Sequence, residues 1–99
     1  MGLVVHGTPD RVARVLARLV ALADAEARVA SEIVIYTAAR LGHVRLTVRC
    51  EVAPHSALPP ESDLRECRDL LAGLGGACGV EQRGDLRAYW FTLPAAPMS

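Results

Sequence analysis

Residues 44–52 read Val-Arg-Leu-Thr-Val-Arg-Cys-Glu-Val, and this stretch decides the fold class. Apolar side chains alternate strictly with polar ones, which is the two-residue period of a β-strand. A strand covered on both faces would be apolar throughout, so Arg45 and Arg49 indicate that only one face is covered. The stretch therefore predicts an antiparallel strand whose second face, carrying Arg45, Thr47, Arg49 and Glu51, meets water.

Two hairpins are predicted around this strand. A β-branched and aromatic run at residues 33–36 precedes it, and Leu41-Gly42-His43 forms the turn between them. Residues 78–83 and 86–93 form the second hairpin. Gly84-Asp85 marks its tight turn, although the favoured order for such a turn is Asp-Gly.

Two amphipathic helices are predicted from the 3.6-residue period. The first begins at Thr8-Pro9-Asp10, which supplies a hydroxyl cap, a proline at the first helical position and an acid in the first turn. It runs to about Arg28. The second begins near Ser62 and ends at a run of glycines that starts at Gly73. Their apolar faces comprise Val12, Val15, Leu16, Leu19, Val20 and Ala23, and Leu64, Cys67, Leu70, Leu71 and Leu74.

A short apolar run at residues 3–5 adds a first strand, so the predicted order is β-α-β-β-α-β-β. This order predicts a two-layer α/β (α+β) sandwich, with a mixed, largely antiparallel sheet and helices on one face. The 99 residues suffice for one domain, placed at 1–94. Residues 95–99, after Pro94, are predicted to be a flexible tail.

Composition excludes several classes of function. Eleven arginines balance eleven acidic residues, and there is no lysine, so no strong field attracts nucleic acid or a membrane surface. No apolar run is long enough to span a bilayer, and no signal peptide is recognisable, which favours a cytoplasmic location. Three cysteines without a Cys-x-x-Cys pair and three scattered histidines predict no disulfide framework, no metal site and no cofactor.

Three segments carry a resemblance to a known family. Residues 7–16 read Gly-Thr-Pro-Asp-Arg-Val-Ala-Arg-Val-Leu, residues 64–76 end in Leu-Gly-Gly, and residues 80–94 end in Trp-Phe-Thr-Leu-Pro. They resemble the Gly-Asp-Pro-x-Arg-Leu-x-x-Val-Leu helix entry, the helix closing on His-Gly-Gly, and the hairpin Val-x-Ser-x-x-Gly-x-Gly-Thr-x-Phe-x-x-x-Leu-Pro. These are motifs of the ATP-binding domain of sensor histidine kinases, a Bergerat-fold (GHKL) ATPase. The resemblance covers about residues 4–94.

The same resemblance marks where a nucleotide site would lie, and the residues there differ from the family. An asparagine on the first helix coordinates Mg²⁺ in the family, whereas the equivalent places here hold Arg18 and Leu22, which supply no oxygen ligand. The Asp-x-Gly-x-Gly turn, whose aspartate accepts from the adenine amino group, falls on Cys50, Val52 and Pro54. Glu51 is one residue away and would face the opposite side.

The phosphate-binding element is also altered. The family's Gly-Leu-Gly lid hinge falls on Glu61 and Asp63, whose carboxylates repel phosphate. The lid itself would have to fit between Pro54 and Glu61, where there is no room for it. The resemblance therefore implies a degenerate domain that has lost its nucleotide-binding motifs, and we predict no catalytic residue.

The sequence favours a non-catalytic, histidine-kinase-like (pseudo-ATPase) module that binds protein in bacterial signal transduction. A response regulator, a kinase or a second copy of the chain would be its partner. Trp90 is predicted on the open side of the sheet with Arg45 and Arg49, and these three form the candidate contact patch, since tryptophan and arginine dominate interface hot spots. The rival interpretation is that Trp90 only stacks on arginine within the chain.

The neighbouring strand positions have predicted directions as well. Tyr89, Phe91 and Leu93 are expected to face the helices, as the family's phenylalanine and leucine do. Arg87 would join the open side if a bulge shifted the phase of the strand.

Two further functions stay open from the sequence. One is the ATP-binding catalytic fragment of a sensor histidine kinase with weak nucleotide binding, which would make the chain part of an enzyme. The other is a ferredoxin-like regulatory or small-ligand-binding domain, supported only by the order of elements. The order of strands in the sheet separates the ferredoxin-like topology from the Bergerat one.

Overall fold

The computed structural model describes residues 9–29, 31–54, 56–59 and 61–94. Along the chain the elements are helix α1 (Pro9–Glu26), strands β1 (Val34–Arg40) and β2 (His43–Glu51), helix α2 (Glu61–Ala72), and strands β3 (Ala77–Arg83) and β4 (Leu86–Pro94). The predicted elements within the described residues are thus present, with bounds that shift by at most four residues. The predicted first strand at 3–5 and the predicted tail at 95–99 lie outside the described residues.

The strands form one sheet in the order β1-β2-β4-β3, and each neighbouring pair is antiparallel. Helix α1 packs over β2 and β4, and α2 packs beside it over β3. Both helices lie on the same face, which confirms the predicted two-layer α+β sandwich. Neither helix has the length and apolar character needed to cross a membrane, a finding restricted to the part of the chain that the structure describes.

The strand order does not fit the ferredoxin-like alternative. In that topology the strand preceding the first helix lies in the centre of the sheet, next to the strand that we call β2. Here β2 already has β1 on one side and β4 on the other, so no place beside it is left for a strand from the N-terminus. The ferredoxin-like prediction is therefore wrong for this chain.

Both hairpin turns have the glycine that their backbone requires. Leu41 and Gly42 have φ values of 46° and 82°, the pair of positive angles that defines a type I′ turn. In the second hairpin Gly84 alone has a positive φ, at 60°, as in a type II′ turn. A type II′ turn favours glycine at its first central position. This explains why the order Gly-Asp closes this hairpin, although Asp-Gly is the commoner hairpin signal.

The core lies between the helices and the inner face of the sheet. Every second residue of β4 is buried there, and Tyr89, Phe91 and Leu93 face the helices as predicted. Each such side chain contributes roughly 1.5–3 kcal/mol by its removal from water. The remaining buried apolar residues are Val15, Leu19 and Ala23 of α1, Leu64, Cys67 and Leu71 of α2, and Val48, Cys50, Val52 and Cys78 of the sheet and its margin.

One residue of the predicted solvent-facing side of β2 is buried. Thr47 is 2% exposed, although it lies on the open face. It pairs with Tyr36 on one side and with Trp90 on the other, so large aromatic side chains flank it on both neighbouring strands. The prediction that Thr47 faces water is wrong because it considered the strand without its neighbours.

The helix ends are fixed by backbone hydrogen bonds to the rest of the fold. After α1 the amide of Arg28 donates to the carbonyl of Glu51 at 2.9 Å, which ties the chain to the end of β2. After α2 the amide of Gly76 donates to the carbonyl of Leu71 at 3.3 Å while Gly75 has a φ of 71°. This is a Schellman cap, and it explains why glycines end the helix.

Candidate functional site

Arg87 is a fully buried charge of the described residues, whereas the sequence offered it a place on the open face on condition of a bulge. The register of β4 runs without a bulge, pairing Arg87 with Cys50 on one side and with Gln82 on the other. Arg87 therefore points to the same side as Tyr89, and it is 0% exposed. The prediction that a bulge would turn it to the open face is wrong, since no residue is inserted to change the phase.

The guanidinium of Arg87 holds the loop between β2 and α2 against the sheet. Its Nη2 donates to the carbonyl oxygens of Ala57 at 2.6 Å and Ser56 at 3.4 Å. Its Nε donates to Oε1 of Gln82 at 2.9 Å, and its Nη1 donates to the hydroxyl of Tyr89 at 3.3 Å. We call this arrangement the Arg87 clamp. Such a buried cation is tolerated because nearly every donor of the planar group finds an acceptor.

The charge of Arg87 is balanced from the end of α1. Nη1 lies 3.9 Å from Oε2 of Glu26, a carboxylate that is itself half exposed. Burial raises the pKa of the Tyr89 hydroxyl, an effect that the hydrogen bond from Arg87 and its charge partly offset. Burial likewise raises the pKa of the Cys50 thiol against the opposing charge of Arg87. Both groups therefore stay neutral at physiological pH and serve as packing and hydrogen-bonding groups.

The seven positions matched to the nucleotide site are spread over α1, the end of β2, the loop that follows it and the start of α2. Arg18 of α1 faces α2, where its Nε lies 3.9 Å from Oε2 of Glu66 and makes no hydrogen bond within the described part of the chain. Leu22 packs half-buried against the core. Cys50 and Val52 are buried at the end of β2. Arg18 therefore contributes a charge pair between the helices, and the other three positions contribute to packing.

The other three matched positions lie along the loop and at the start of α2. Pro54 is exposed, and it lines a surface cavity separate from the one that Cys50 lines. Glu61 is exposed and forms an ion pair with Arg68, two turns further along the same helix. Asp63 lies half-exposed in the first turn, where a carboxylate stabilises the positive end of the helix dipole. Both carboxylates thus have a structural role in α2.

The open face of the sheet brings the predicted contact residues together in two stacks. The guanidinium carbon of Arg45 lies 4.6 Å from the centre of the Trp90 ring, and Nη2 of Arg45 lies 3.5 Å from Oε1 of Glu81. Arg49 lies over a different ring, that of Tyr36, at 6.0 Å. Trp90 thus stacks on arginine within the chain, as the rival interpretation expected, and is half-buried as a result.

Sequence reasoning missed Tyr36, which is 44% exposed on this face. It lies opposite Thr47 and next to the arginines of β2. Residues 33–36 are a continuous run of large apolar and aromatic side chains, so no alternation marked the face to which Tyr36 points. We call Tyr36, Arg45, Arg49 and Trp90 the open-face patch.

Gly79 lets the indole of Trp90 lie flat on β3. A methyl group at Gly79 would be 2.7 Å from Cζ2 of the ring, closer than real contacts allow. We therefore expect Gly79→Ala to displace Trp90 and to break its stack with Arg45. The sole tryptophan of the chain makes this visible as a red shift of its fluorescence emission. Gly73→Ala is a control for added bulk, since its φ is not positive and its methyl group would meet only the end of the Arg11 side chain at 3.4 Å, and it should leave the emission unchanged.

The buried thiols predict a loss of stability in alkali. Burial raises the pKa of Cys67 from 9.0 to about 11, so the folded state holds its proton where the unfolded state has released it. The stability is therefore complete below pH 9 and falls as the pH rises towards 11, by roughly 1–3 kcal/mol from this group. Urea unfolding at stepped pH should show this slope, and Cys67→Ala should reduce it. A slope unchanged in Cys67→Ala would contradict the assignment.

No metal site is found within the described ranges, where no three His, Cys, Asp or Glu side chains come together. The three cysteines are free and buried. They therefore act as small apolar residues of the core.

Comparison with solved structures shows what the fold is similar to. The catalytic domain of the histidine kinase ThkA matches with a TM-score of 0.76 and 23% identity, over 91% of this chain and 69% of that domain. The Acinetobacter baumannii histidine kinase AdeS matches with 0.71 and 16%, over 86% of this chain and 46% of the other. The blue-light activated histidine kinase of Erythrobacter litoralis matches with 0.67 and 20%, over 85% and 29%.

No protein-family model matches the sequence, and a search of curated proteins gives no match. At identities of 16–23% the similarity to these structures is a similarity of fold. It confirms the predicted histidine-kinase-like architecture for the chain, which has the α+β arrangement of such catalytic domains.

Proposed function

We propose, from the fold shared with histidine kinase catalytic domains, that this chain is a non-catalytic relative that works by binding protein. The observation that carries the proposal is the Arg87 clamp. A guanidinium that is 0% exposed stands between β4, the end of α1 and the loop at residues 56–57. It fills space inside the two-layer sandwich and closes the loop down on the sheet.

The position of Arg87 in the terminal hairpin motif of the family links the clamp to nucleotide binding. Counting back from Leu93-Pro94, the motif has threonine at the position of Arg87. A small hydroxyl side chain is thus replaced by a large cation whose donors are used by loop carbonyls. This adds to the unsuitable chemistry of Arg18, Leu22, Glu61 and Asp63. Opening the loop to admit a nucleotide would leave the buried cation of Arg87 without its carbonyl acceptors.

The open-face patch supplies the contact surface in this proposal. Its two stacks give planar, preorganised arginines and aromatic rings on a rigid sheet, the residue types that carry most binding energy at protein interfaces. Replacing Trp90 by alanine should weaken a partner or a dimer while the fold persists. A bacterial two-component system is the setting that the histidine-kinase-like fold favours, with a response regulator or a kinase as partner.

Calorimetric titration with Mg-ATP tests the proposal. We expect no saturable heat up to millimolar nucleotide, with an active histidine kinase catalytic domain as the positive control. Micromolar, saturable binding would overturn the proposal and favour the catalytic-fragment alternative. In that case transfer of labelled phosphate to a helical hairpin supplied separately would become the next measurement.

A further inference from the structure

A concavity of about 520 Å³ opens on the uncovered face of the sheet, beside the β1–β2 turn. The residues that matter in its lining are Tyr36, Ala38, Arg40, Leu41, His43 and Arg45. We call it the hairpin concavity. It shares Tyr36 and Arg45 with the open-face patch and extends from them to the β1–β2 turn.

The register of the hairpin explains its shape. Tyr36, Ala38 and Arg40 alternate on β1 and all point to the open face, opposite residues of the same face on β2. Ala38 pairs with Arg45, and its small side chain leaves room between the larger ones on either side. The result is a concavity with Ala38 on its floor, the ring of Tyr36 at one end, Arg40 at the other end, and Arg45 beside Ala38.

The charge in the concavity is positive. Arg40 and Arg45 line it, and no acidic side chain does. Arg45 has a partner in Glu81, whereas Arg40 forms no ion pair with any acidic side chain of the described ranges. An arginine fork without a carboxylate, beside a second arginine, is complementary to a carboxylate ligand.

Leu41 breaks two local rules at the rim. Its φ of 46° is a conformation that favours glycine or asparagine, and its side chain is 94% exposed. A branched apolar residue there costs stability and gains no burial in the folded chain. Residues that violate local preference are expected where function requires them, here as an apolar contact for a ligand.

We infer that the hairpin concavity binds an acidic segment of a partner protein, in which an apolar side chain lies next to carboxylates. The apolar side chain packs on Ala38 between the ring of Tyr36 and Leu41. The neighbouring carboxylates accept hydrogen bonds from Arg40 and Arg45. This inference rests on the proposed function, since it names the chemistry of the partner that the open face takes.

A synthetic peptide tests the inference on the full chain. Acetyl-Asp-Glu-Leu-Asp-Glu-amide is titrated while the fluorescence of Trp90, which lies under Arg45, is recorded. We expect saturable binding that is lost when serine replaces the leucine of the peptide or lysines replace its acids. Arg40→Gln should weaken binding roughly tenfold. Arg83→Gln removes the same charge from the far end of the open face and should leave binding unchanged.

Leu41→Asn separates binding from folding. Asparagine suits the positive φ, so this variant should melt roughly 3–6 °C higher while binding the peptide more weakly. Such opposite changes cannot result from a damaged fold.

Failure to bind the peptide, or equal losses in Arg40→Gln and Arg83→Gln, would overturn the inference. So would binding of a single-stranded oligonucleotide in place of the peptide. None of these results touches the Mg-ATP titration, so the proposed loss of nucleotide binding stands or falls separately.

Discussion

Replacing Arg87 by alanine is expected to destabilise the fold by about 3 kcal/mol, a large part of the 5–15 kcal/mol that holds a small domain. The change removes the donors bonded to Ser56, Ala57, Gln82 and Tyr89, and it leaves a cavity where the side chain was. Glu26 adds little to the cost because its half-exposed carboxylate is resolvated. Urea unfolding monitored by Trp90 fluorescence gives the free energy of unfolding.

Two further variants help to interpret this loss. One is a control for the removal of an arginine, and the other separates the polar and volume contributions of Arg87. Arg83→Ala removes an exposed arginine from the adjacent strand and should cost less than about 0.5 kcal/mol. Arg87→Met refills most of the volume without the donors, so its cost measures the unsatisfied carbonyls of the loop. Faster proteolysis within residues 53–59 should accompany both Arg87 variants. An Arg87→Ala protein as stable as the parent would show that the clamp does not hold the loop.

Gly76→Ala is expected to destabilise the fold by about 2–3 kcal/mol, the second-largest single effect. A methyl group at this position would lie 2.5 Å from the carbonyl oxygen of Thr92 and 3.1 Å from a methyl of Leu71. The first of these neighbours is the backbone of β4, which is held by β2 and β3 on either side. Because the strand cannot shift alone, the connection from α2 to β3 would have to move.

Gly73→Ala provides the matched control at the other end of the same cap. Its added methyl would meet only the mobile end of Arg11, at 3.4 Å, and its φ is not positive. This variant should be neutral or more stable by up to roughly 1 kcal/mol, because alanine restricts the unfolded chain. Thermal melting of both variants checks the contrast. Equal melting temperatures would show that close approach to Thr92 does not constrain position 76.

Patterns of neighbouring residues predicted the elements and the layer architecture. The alternation of residues 44–52 identified β2 and its single covered face, and Thr8-Pro9-Asp10 located the start of α1. The turn residues Leu41-Gly42 and Gly84-Asp85 located both hairpins. Side-chain period and backbone φ preference act within a few residues, so they can be read from the sequence directly.

The site was predictable only in part. Trp90, Arg45 and Arg49 were correctly placed on the open face, because strand alternation fixes the side to which each residue points. Their partners were not predictable, since the stack of Arg45 on Trp90 and the contact of Arg49 with Tyr36 depend on which strands adjoin β2. The place of Tyr36 in the open-face patch was not predicted because it depends on the register between β1 and β2.

The sequence by itself determined two helices, two hairpins and a sheet with one covered face. Only the tertiary structure decided that Arg87 points inward, that Thr47 is shielded, and that β4 lies between β2 and β3. Those outcomes depend on residues that are distant along the chain. The carbonyl acceptors of Arg87 show this most clearly, since Ser56 and Ala57 are 31 and 30 residues away from it along the chain. A buried charge is tolerated where the folded chain supplies such acceptors, and a local pattern carries no record of them.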